Sequence, residues 1–395
     1  MVLGASDVVV ERAAHRGYFD HAATAPVRPE VIEAMVPLLG AGAANATGTH
    51  RAARAARRAV DDAREDLAEL LGVDPARVVF TSGGTESDNL AVLGGVEARP
   101  GSVVCSAIEH PAVLVPARVL GAHEVGVDHD GLIDLVQLDS QLDALARAGE
   151  AVTVVSVMTV NNEVGAVQPL RDVAEIVRER APGATLHTDA VQALPWLDLR
   201  AVGPLVDSLS LSAHKFGGPQ GVGVLVVDPA RPPAARHLGG GQERERRSGT
   251  HNVAGIVGMA VAARLADECR DLESERIGKL RDRLLDGLVA SIDDAHESGD
   301  RAVTSPGTAH LCIGGVENEA LLFLLDEAGL AASAASSCAS GAQDPSHVLA
   351  AMGIARELSS GSLRLSLGWT TDDADVDLAL AVIPAAVARL RELGS

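Results

Sequence analysis

Lysine is almost missing from this chain of 395 residues: among 33 basic residues only Lys215 and Lys279 are lysines. Arginine can replace lysine for surface charge, but a guanidinium forms no stable Schiff base at neutral pH, so each remaining lysine is a candidate for chemistry. Aromatics are scarce too, with two Trp, one Tyr and four Phe, and the core must therefore be built from Ala, Val, Leu and Ile. Positive charge is in deficit. A formal net charge of −21 opposes nucleic acid and anionic lipid as direct partners, both being polyanions. The four cysteines, Cys105, Cys269, Cys312 and Cys338, form no C-x-x-C pair and no zinc-like Cys/His spacing, which argues against a disulfide framework and a structural zinc site. No apolar run reaches the ~18 residues of a membrane span, and residues 1–11 lack the basic-then-apolar order of a secretory leader. A soluble cytoplasmic protein with reduced thiols is expected.

What is present is a large apolar fraction, 47% of the residues, in a chain long enough for two or three domains. From residue 18 to about 252, short apolar runs alternate with helical ones. Strands are expected at 78–80, 103–106, 152–160, 185–188, 208–212 and 221–227, with helices at 86–97 and 170–180. Strands alternating with helices indicate parallel pairing, hence an α/β sheet covered on both faces. Beyond residue 252 the pattern changes to an almost unbroken helical stretch at 253–292, then shorter strands at 310–313 and 362–366 and helices at 319–328 and 373–393. The expected division is a large domain, 15–260, and a smaller α+β domain, 261–395 with 1–14. A Ser/Ala/Gly-rich loop at 331–341 holds Cys338. The cluster Arg51, Arg54, Arg57 and Arg58 reads as the solvated face of a helix.

Three segments carry chemistry. Ser212-Ala213-His214-Lys215-Phe216-Gly217-Gly218 places the unusual lysine just after a strand, where α/β folds bind ligands. Pyridoxal phosphate (PLP) needs one such lysine to hold it covalently. His187-Thr188-Asp189-Ala190-Val191-Gln192 ends a strand one βα unit earlier on a carboxylate, the group that keeps a pyridine nitrogen protonated. Phe80-Thr81-Ser82-Gly83-Gly84-Thr85-Glu86 turns from strand to helix through two glycines, which offers backbone N–H groups and a helix dipole to a phosphate. Each segment alone has structural explanations. Together they describe one cofactor site.

Taken with Tyr18-Phe19-Asp20-His21-Ala22-Ala23-Thr24, Glu109-His110, Asn161-Asn162-Glu163-Val164-Gly165 and Arg247-Ser248-Gly249-Thr250, these segments stand in the order seen in class V aminotransferase-fold enzymes, over residues 17–370. Within that fold the chain resembles a cysteine desulfurase of the NifS/IscS branch. The discriminating feature is Ser336-Ser337-Cys338-Ala339-Ser340 in a long loop, followed by Pro345-Ser346-His347-Val348-Leu349. The resemblance implies fold type I of the PLP-dependent transferases, with a mainly parallel seven-stranded sheet between helices. It also implies the roles. Lys215 would hold the cofactor and carry protons. Asp189 would pair with the ring nitrogen, Gln192 with the phenolic oxygen, and His110 would stack on the ring and serve in acid–base steps. Gly84, Thr85, Ser212 and His214 would hold the phosphate. Thr250 would reach the phosphate of a neighbouring subunit, which makes a homodimer. Asn162 and Arg364 would hold the carboxylate of L-cysteine, Arg364 by a two-pronged contact.

Cys338 lies in a polar, small-residue loop, whereas Cys105, Cys269 and Cys312 lie in apolar patterns. A thiolate that attacks the substrate sulfur and carries a persulfide outward must be accessible and mobile. The expected reaction is removal of sulfur from L-cysteine to give L-alanine and a Cys338 persulfide. Its acceptor would be a partner protein in Fe–S assembly, tRNA modification or biosynthesis. Other enzymes on this scaffold are the alternatives: a selenocysteine lyase, a C–S lyase or an aminotransferase. Three features depart from the family pattern. Residue 21 is His where Asn is usual, near the substrate in relatives. Thr250 is followed by His251-Asn252 rather than an acidic or apolar residue. The chain ends soon after its last helix, so a scaffold contact through a longer tail is not expected.

Overall fold

The computed structural model describes residues 17–40, 42–334 and 346–394. Its strands in chain order are β1 (Gly17–Tyr18), β2 (Val78–Thr81), β3 (Ser102–Ser106), β4 (His123–Val125), β5 (Val152–Ser156), β6 (Thr185–Asp189), β7 (Ser208–Ser212), β8 (Gly223–Val226), β9 (Ala295–Glu297), β10 (Thr308–Ile313), β11 (Leu330–Ala331) and β12 (Ser362–Ser366). Seven of them form one sheet in the order β2-β8-β7-β6-β5-β3-β4. Every neighbouring pair is parallel except those made by β8, which runs antiparallel to both β2 and β7. β2 therefore points the same way as the parallel strands, and six strands end on one edge. The strands are buried almost throughout, as a sheet packed on both faces requires, and β-branched residues dominate β2 and β5. Helix Arg51–Leu71 turns Ala53, Ala56, Val60, Leu67 and Leu71 inward, and its exposed side holds Arg51, Arg54, Arg57 and Arg58.

A second, antiparallel sheet has the order β12-β10-β9, and the short parallel pair β1–β11 leads on to it through the bridges Asp20–Ser366 and Ser333–Arg364. The helix Val253–Ser291, with 39 residues, is about 58 Å long at 1.5 Å per residue. It runs unbroken through the region where the sequence pattern changes, and what changes along it is the core it serves. Ile256, Met259, Ala260, Ala262, Ala263 and Ala266 pack into the core of the large sheet. Ile277, Leu280, Leu284, Leu285 and Leu288 pack with β10, β12 and the helices Asn318–Glu327 and Asp373–Gly394. Phe19 belongs to this second core. A few residues later the chain crosses to the large sheet, where Ala25 N–H donates to the carbonyl of His214 at 2.7 Å. Segment 19–25 thus ties both cores beside Lys215.

The strand expected at 152–160 stops at Ser156. Beyond it Val157 N–H still donates to His187 O at 3.1 Å and Thr159 N–H to Asp189 O at 2.8 Å, as the chain leaves the sheet toward Asn161 and Asn162.

Candidate active site

Six strand ends share one edge, and the predicted residues follow from it. Asp189 is the last residue of β6, and Ser212 the last of β7, with Lys215 three residues on. The glycine turn follows β2, His110 follows β3, and Asn162 follows β5. Such an edge is where open α/β sheets bind their ligands.

The helix after β2 starts at Gly84, two residues before the apolar pattern suggests, so Gly84 and Thr85 stand in its first turn with N–H groups that have no intrahelical partner. A Cβ on Gly84 would lie 2.9 Å from Val191 Cγ2 and 3.8 Å from Ser212 Cβ. Only glycine lets this helix start come so close to the ends of β6 and β7. His214, half-buried beside Ser212, has its Nδ1 3.2 Å from Thr24 Oγ1. Burial and the charge of Lys215 push its pKa down to about 4, so it is a neutral hydrogen-bonding group here.

Lys215 Nζ donates to the carbonyls of Ala22 at 2.6 Å and Ala23 at 3.0 Å, and Gln192 Nε2 donates to the same Ala22 carbonyl at 2.8 Å. A pocket adjoins these two residues and is lined by His21, Arg28 and both tryptophans, Trp196 and Trp369. Asp189 is buried, and its Oδ1 accepts from Val191 N–H at 2.9 Å. One ligand atom each from Asp88, His110 and Asp189 lies within 4.8 Å of the others. Burial raises the pKa of Asp189, and Asp88 adds to it. His110 caps the helix Pro111–Val119, its Nδ1 accepting from Ala112 N–H at 3.1 Å. That contact assigns the hydrogen of the neutral ring to Nε2. Burial and Lys215 lower its pKa, with Asp189 opposing them.

Behind Asp189 lies a set of groups that sequence reasoning did not assign. His187 Nε2 is 3.3 Å from Asp88 Oδ1, and its Nδ1 is 3.1 Å from Ser208 Oγ. Glu109 is fully buried, its Oε1 accepting from Met158 N–H at 2.8 Å. Burial lifts Asp88 to about 7 and Glu109 well above the carboxylate range. Period two along β6 carried the signal for His187, two residues before Asp189 and so on the same face. Asp88 stands one helical turn after Gly84.

From the second sheet Arg364 reaches the same region. It is 3% exposed. One Nη1 hydrogen goes to the carbonyl of Asn162 at 2.8 Å and one Nη2 hydrogen to Asp20 Oδ1 at 2.9 Å. Asp20 is thus a carboxylate already placed on the arginine expected to hold a substrate carboxylate, and the sequence reading did not separate it from its motif. His21 is turned away into the second sheet: its Nδ1 is 3.2 Å from Ser366 O and its Nε2 2.9 Å from Thr370 Oγ1. A Cβ on Gly368 would strike that ring at 2.1 Å, so the imidazole fits because residue 368 is glycine.

Thr250 is exposed and is not brought to the other candidates within one chain. Its segment is nevertheless firmly held. Glu243, Arg244 and Glu245 have φ of 50°, 54° and 65°, a left-handed run that costs non-glycine residues of the order of 1 kcal/mol or more each. Glu243 accepts two N–H groups from Arg64 at 2.7 and 2.8 Å, the Phe80 N–H at 2.9 Å, and His251 Nε2 at 2.7 Å. These partners outweigh its burial and hold its carboxyl at about 2. The unusual His251 is therefore part of the anchor for the segment that carries Thr250. Cys338 lies outside the described residues. Ser346, the first described residue after it, caps the helix His347–Ala351, and its hydroxyl donates to buried Glu163 of the Asn-Asn-Glu motif.

Over most of its length the chain resembles known proteins. Residues 17–379 match the family "Aminotransferase class-V". A Mycobacterium tuberculosis protein named "IscS-like cysteine desulfurase" is 43% identical over 387 residues, covering 95% of this chain and 97% of the relative. Among solved structures, one titled "NIFS-LIKE PROTEIN" superposes with a TM-score of 0.87 at 34% identity, covering 95% of this chain and all of that one. Another, titled "SspA in complex with cysteine", superposes with a TM-score of 0.74 at 30% identity, covering 89% and 98%. The chain belongs to the class V aminotransferase family, within which it is similar to the cysteine desulfurases of the NifS/IscS branch.

Proposed function

We propose that this chain is a PLP-dependent cysteine desulfurase that converts L-cysteine to L-alanine and leaves the sulfur on Cys338 as a persulfide for an acceptor. The observation that carries this reading is the meeting of two sheets at one place: Lys215, Asp189 and the glycine-opened helix start from the large sheet, and Arg364 from the small one. The residues fit the cofactor. The close approach at Gly84 opens free N–H groups beside Ser212 and His214 for a phosphate. A buried carboxylate, which burial and Asp88 make reluctant to ionise alone, suits a cationic ring nitrogen.

When bound, PLP supplies an aldehyde that condenses with amines and a protonated ring that draws electrons from the substrate's Cα. This chain's residues do the rest. Asp189 would keep the proton on the ring nitrogen, with Asp88 and Glu109, whose carboxyls burial pushes upward, behind it. Lys215 Nζ binds the cofactor, yields its place to the amine of L-cysteine, and then takes the Cα proton. His110 presents Nε2–H to the site. Asn162 and Arg364 hold the substrate carboxylate. The Cys338 thiolate attacks the substrate sulfur: an S–S bond forms, the C–S bond breaks, and Cβ keeps the electron pair and takes a proton to become the methyl of alanine.

Residues 15–260 provide the cofactor site and 261–395, with 1–14, the arginine and the 331–341 loop. The chain works as a homodimer in which Thr250 of one copy serves the phosphate site of the other. Exposure of Thr250 on an anchored segment supports this. Reduced Cys105, Cys269 and Cys312 fit the cytoplasm, and no helix among the described residues is long and apolar enough to cross a membrane.

PLP-loaded protein given L-cysteine and a thiol reductant is expected to release alanine and sulfide in equal amounts. Pyruvate in place of alanine would make it a C–S lyase, and a keto acid with no sulfide an aminotransferase.

A further inference from the structure

Among the described residues, two buried polar atoms of the small sheet have no hydrogen-bond partner: Nε of Arg364 and Nε2 of His310. They belong to the same row. His310 in β10 stands directly opposite Arg364 in β12, and directly opposed residues put their side chains on one face with Cβ atoms about 5 Å apart. The backbone N–H of Ser298 donates to the His310 carbonyl at 3.2 Å, which brings Ser298 into that row.

The row has a polarity. His310 Nδ1 lies 2.9 Å from Ser298 Oγ, and Ser298 Oγ lies 3.7 Å from Cys312 Sγ. If each group passes its hydrogen along, Nδ1–H donates to Oγ and Oγ–H to sulfur, and Nε2 is left as an acceptor. Arg364, directly opposite on β12, carries Nε–H, a buried donor that likewise has no partner. The other tautomer would set N–H against N–H beside a guanidinium. Burial, with the Arg364 charge adding to it, pushes His310 down to about 3, so the ring is neutral at any working pH and keeps its lone pair. A buried donor left unanswered is costly, and more so on a charged group. A hydrogen bond or one shared water closes such a pair.

We propose that His310 is a positioning residue for Arg364: its neutral Nε2 answers the Nε–H of the guanidinium and fixes the plane in which Arg364 meets the substrate carboxylate. Arg364 has five N–H donors. One is given to Asn162 O and one to Asp20, and Nε–H would go to His310. Two remain, one on each terminal nitrogen, which is what a two-pronged carboxylate contact uses. This rests on the reading of Arg364 as the carboxylate-holding arginine.

The test uses PLP-loaded protein and two ligands that divide cysteine between them: 3-mercaptopropionate has the carboxylate and thiol without the amine, and cysteamine the amine and thiol without the carboxylate. His310→Phe is expected to raise KM for L-cysteine about 10-fold, the effect of losing a hydrogen bond to a charged group, with kcat changed less than about 3-fold. Calorimetric titration is expected to show 3-mercaptopropionate weakened by the same factor and cysteamine unchanged. His310→Gln, which keeps an acceptor, is expected to restore most of both. Should His310→Phe fail to fold, Ser298→Ala, which releases the tautomer, is expected to shift KM and 3-mercaptopropionate affinity in the same direction by a smaller factor. Unchanged affinity for 3-mercaptopropionate in His310→Phe, or in Ser298→Ala where that variant stands in for it, overturns the proposal, as does an equal loss for cysteamine. Arg364→Met separates the two readings. If it too leaves 3-mercaptopropionate binding intact, the role of Arg364 falls and this proposal with it. If only Arg364→Met weakens it, the role of His310 alone falls.

Discussion

Lys215→Ala is expected to lower turnover of L-cysteine by at least about 10⁴-fold, because one side chain supplies both covalent attachment and proton transfer at Cα. No other amine in the chain can replace it. Lys279 is exposed on the long helix and paired with Glu275 one turn before it. The variant should also lose the visible absorbance band of covalently held cofactor while remaining folded, since a water can take the place of Nζ at the Ala22 and Ala23 carbonyls. A spectrum and a turnover assay on the same sample check both. Retained turnover would remove Lys215 from the chemistry.

Asp189→Asn is expected to cost about 10²–10³ in kcat/KM, the scale of losing one preorganised electrostatic contact to the reacting system. The side chains are nearly the same size, and the Val191 N–H still finds an oxygen, so the change isolates charge from shape. Without the carboxylate nothing holds a proton on the ring nitrogen. Glu109 is already bonded to the Met158 N–H and Asp88 lies 3.3 Å from His187 Nε2, so both carboxyls have partners of their own. The variant should retain cofactor through Lys215, and its absorbance should show that before turnover is measured.

Much of this was legible in the sequence because parallel sheets write themselves plainly. Their strands are short apolar runs, and the residues just after them form the site, so Lys215, Asp189, His110, Asn162 and the glycine turn could be read in order. The helix Val253–Ser291 was equally legible from its period, but not which core each part of it serves. β4, three residues at the sheet edge, and β9 carry too few apolar positions to stand out. The sequence could not show what depends on side chains meeting across the fold. Asp20 and Arg364 are 344 positions apart and join only because β1 and β12 flank the same core. His21 sits where the pattern has Asn, and its ring is spent on Ser366 at the end of β12 and on Thr370 in the turn after it. His310 has no local motif, and its partner is set by strand register alone.

The central claim is that sulfur leaves L-cysteine for Cys338. Intact-protein and peptide mass spectrometry, after limiting L-cysteine without reductant, tests it most directly, beside Cys338→Ala with equal cofactor absorbance. The account predicts one added sulfur on the Cys338 peptide of the native protein, and in the variant neither added sulfur nor release of sulfide or alanine. Unchanged turnover in the variant, or sulfur on Cys105, Cys269 or Cys312 instead, would contradict it.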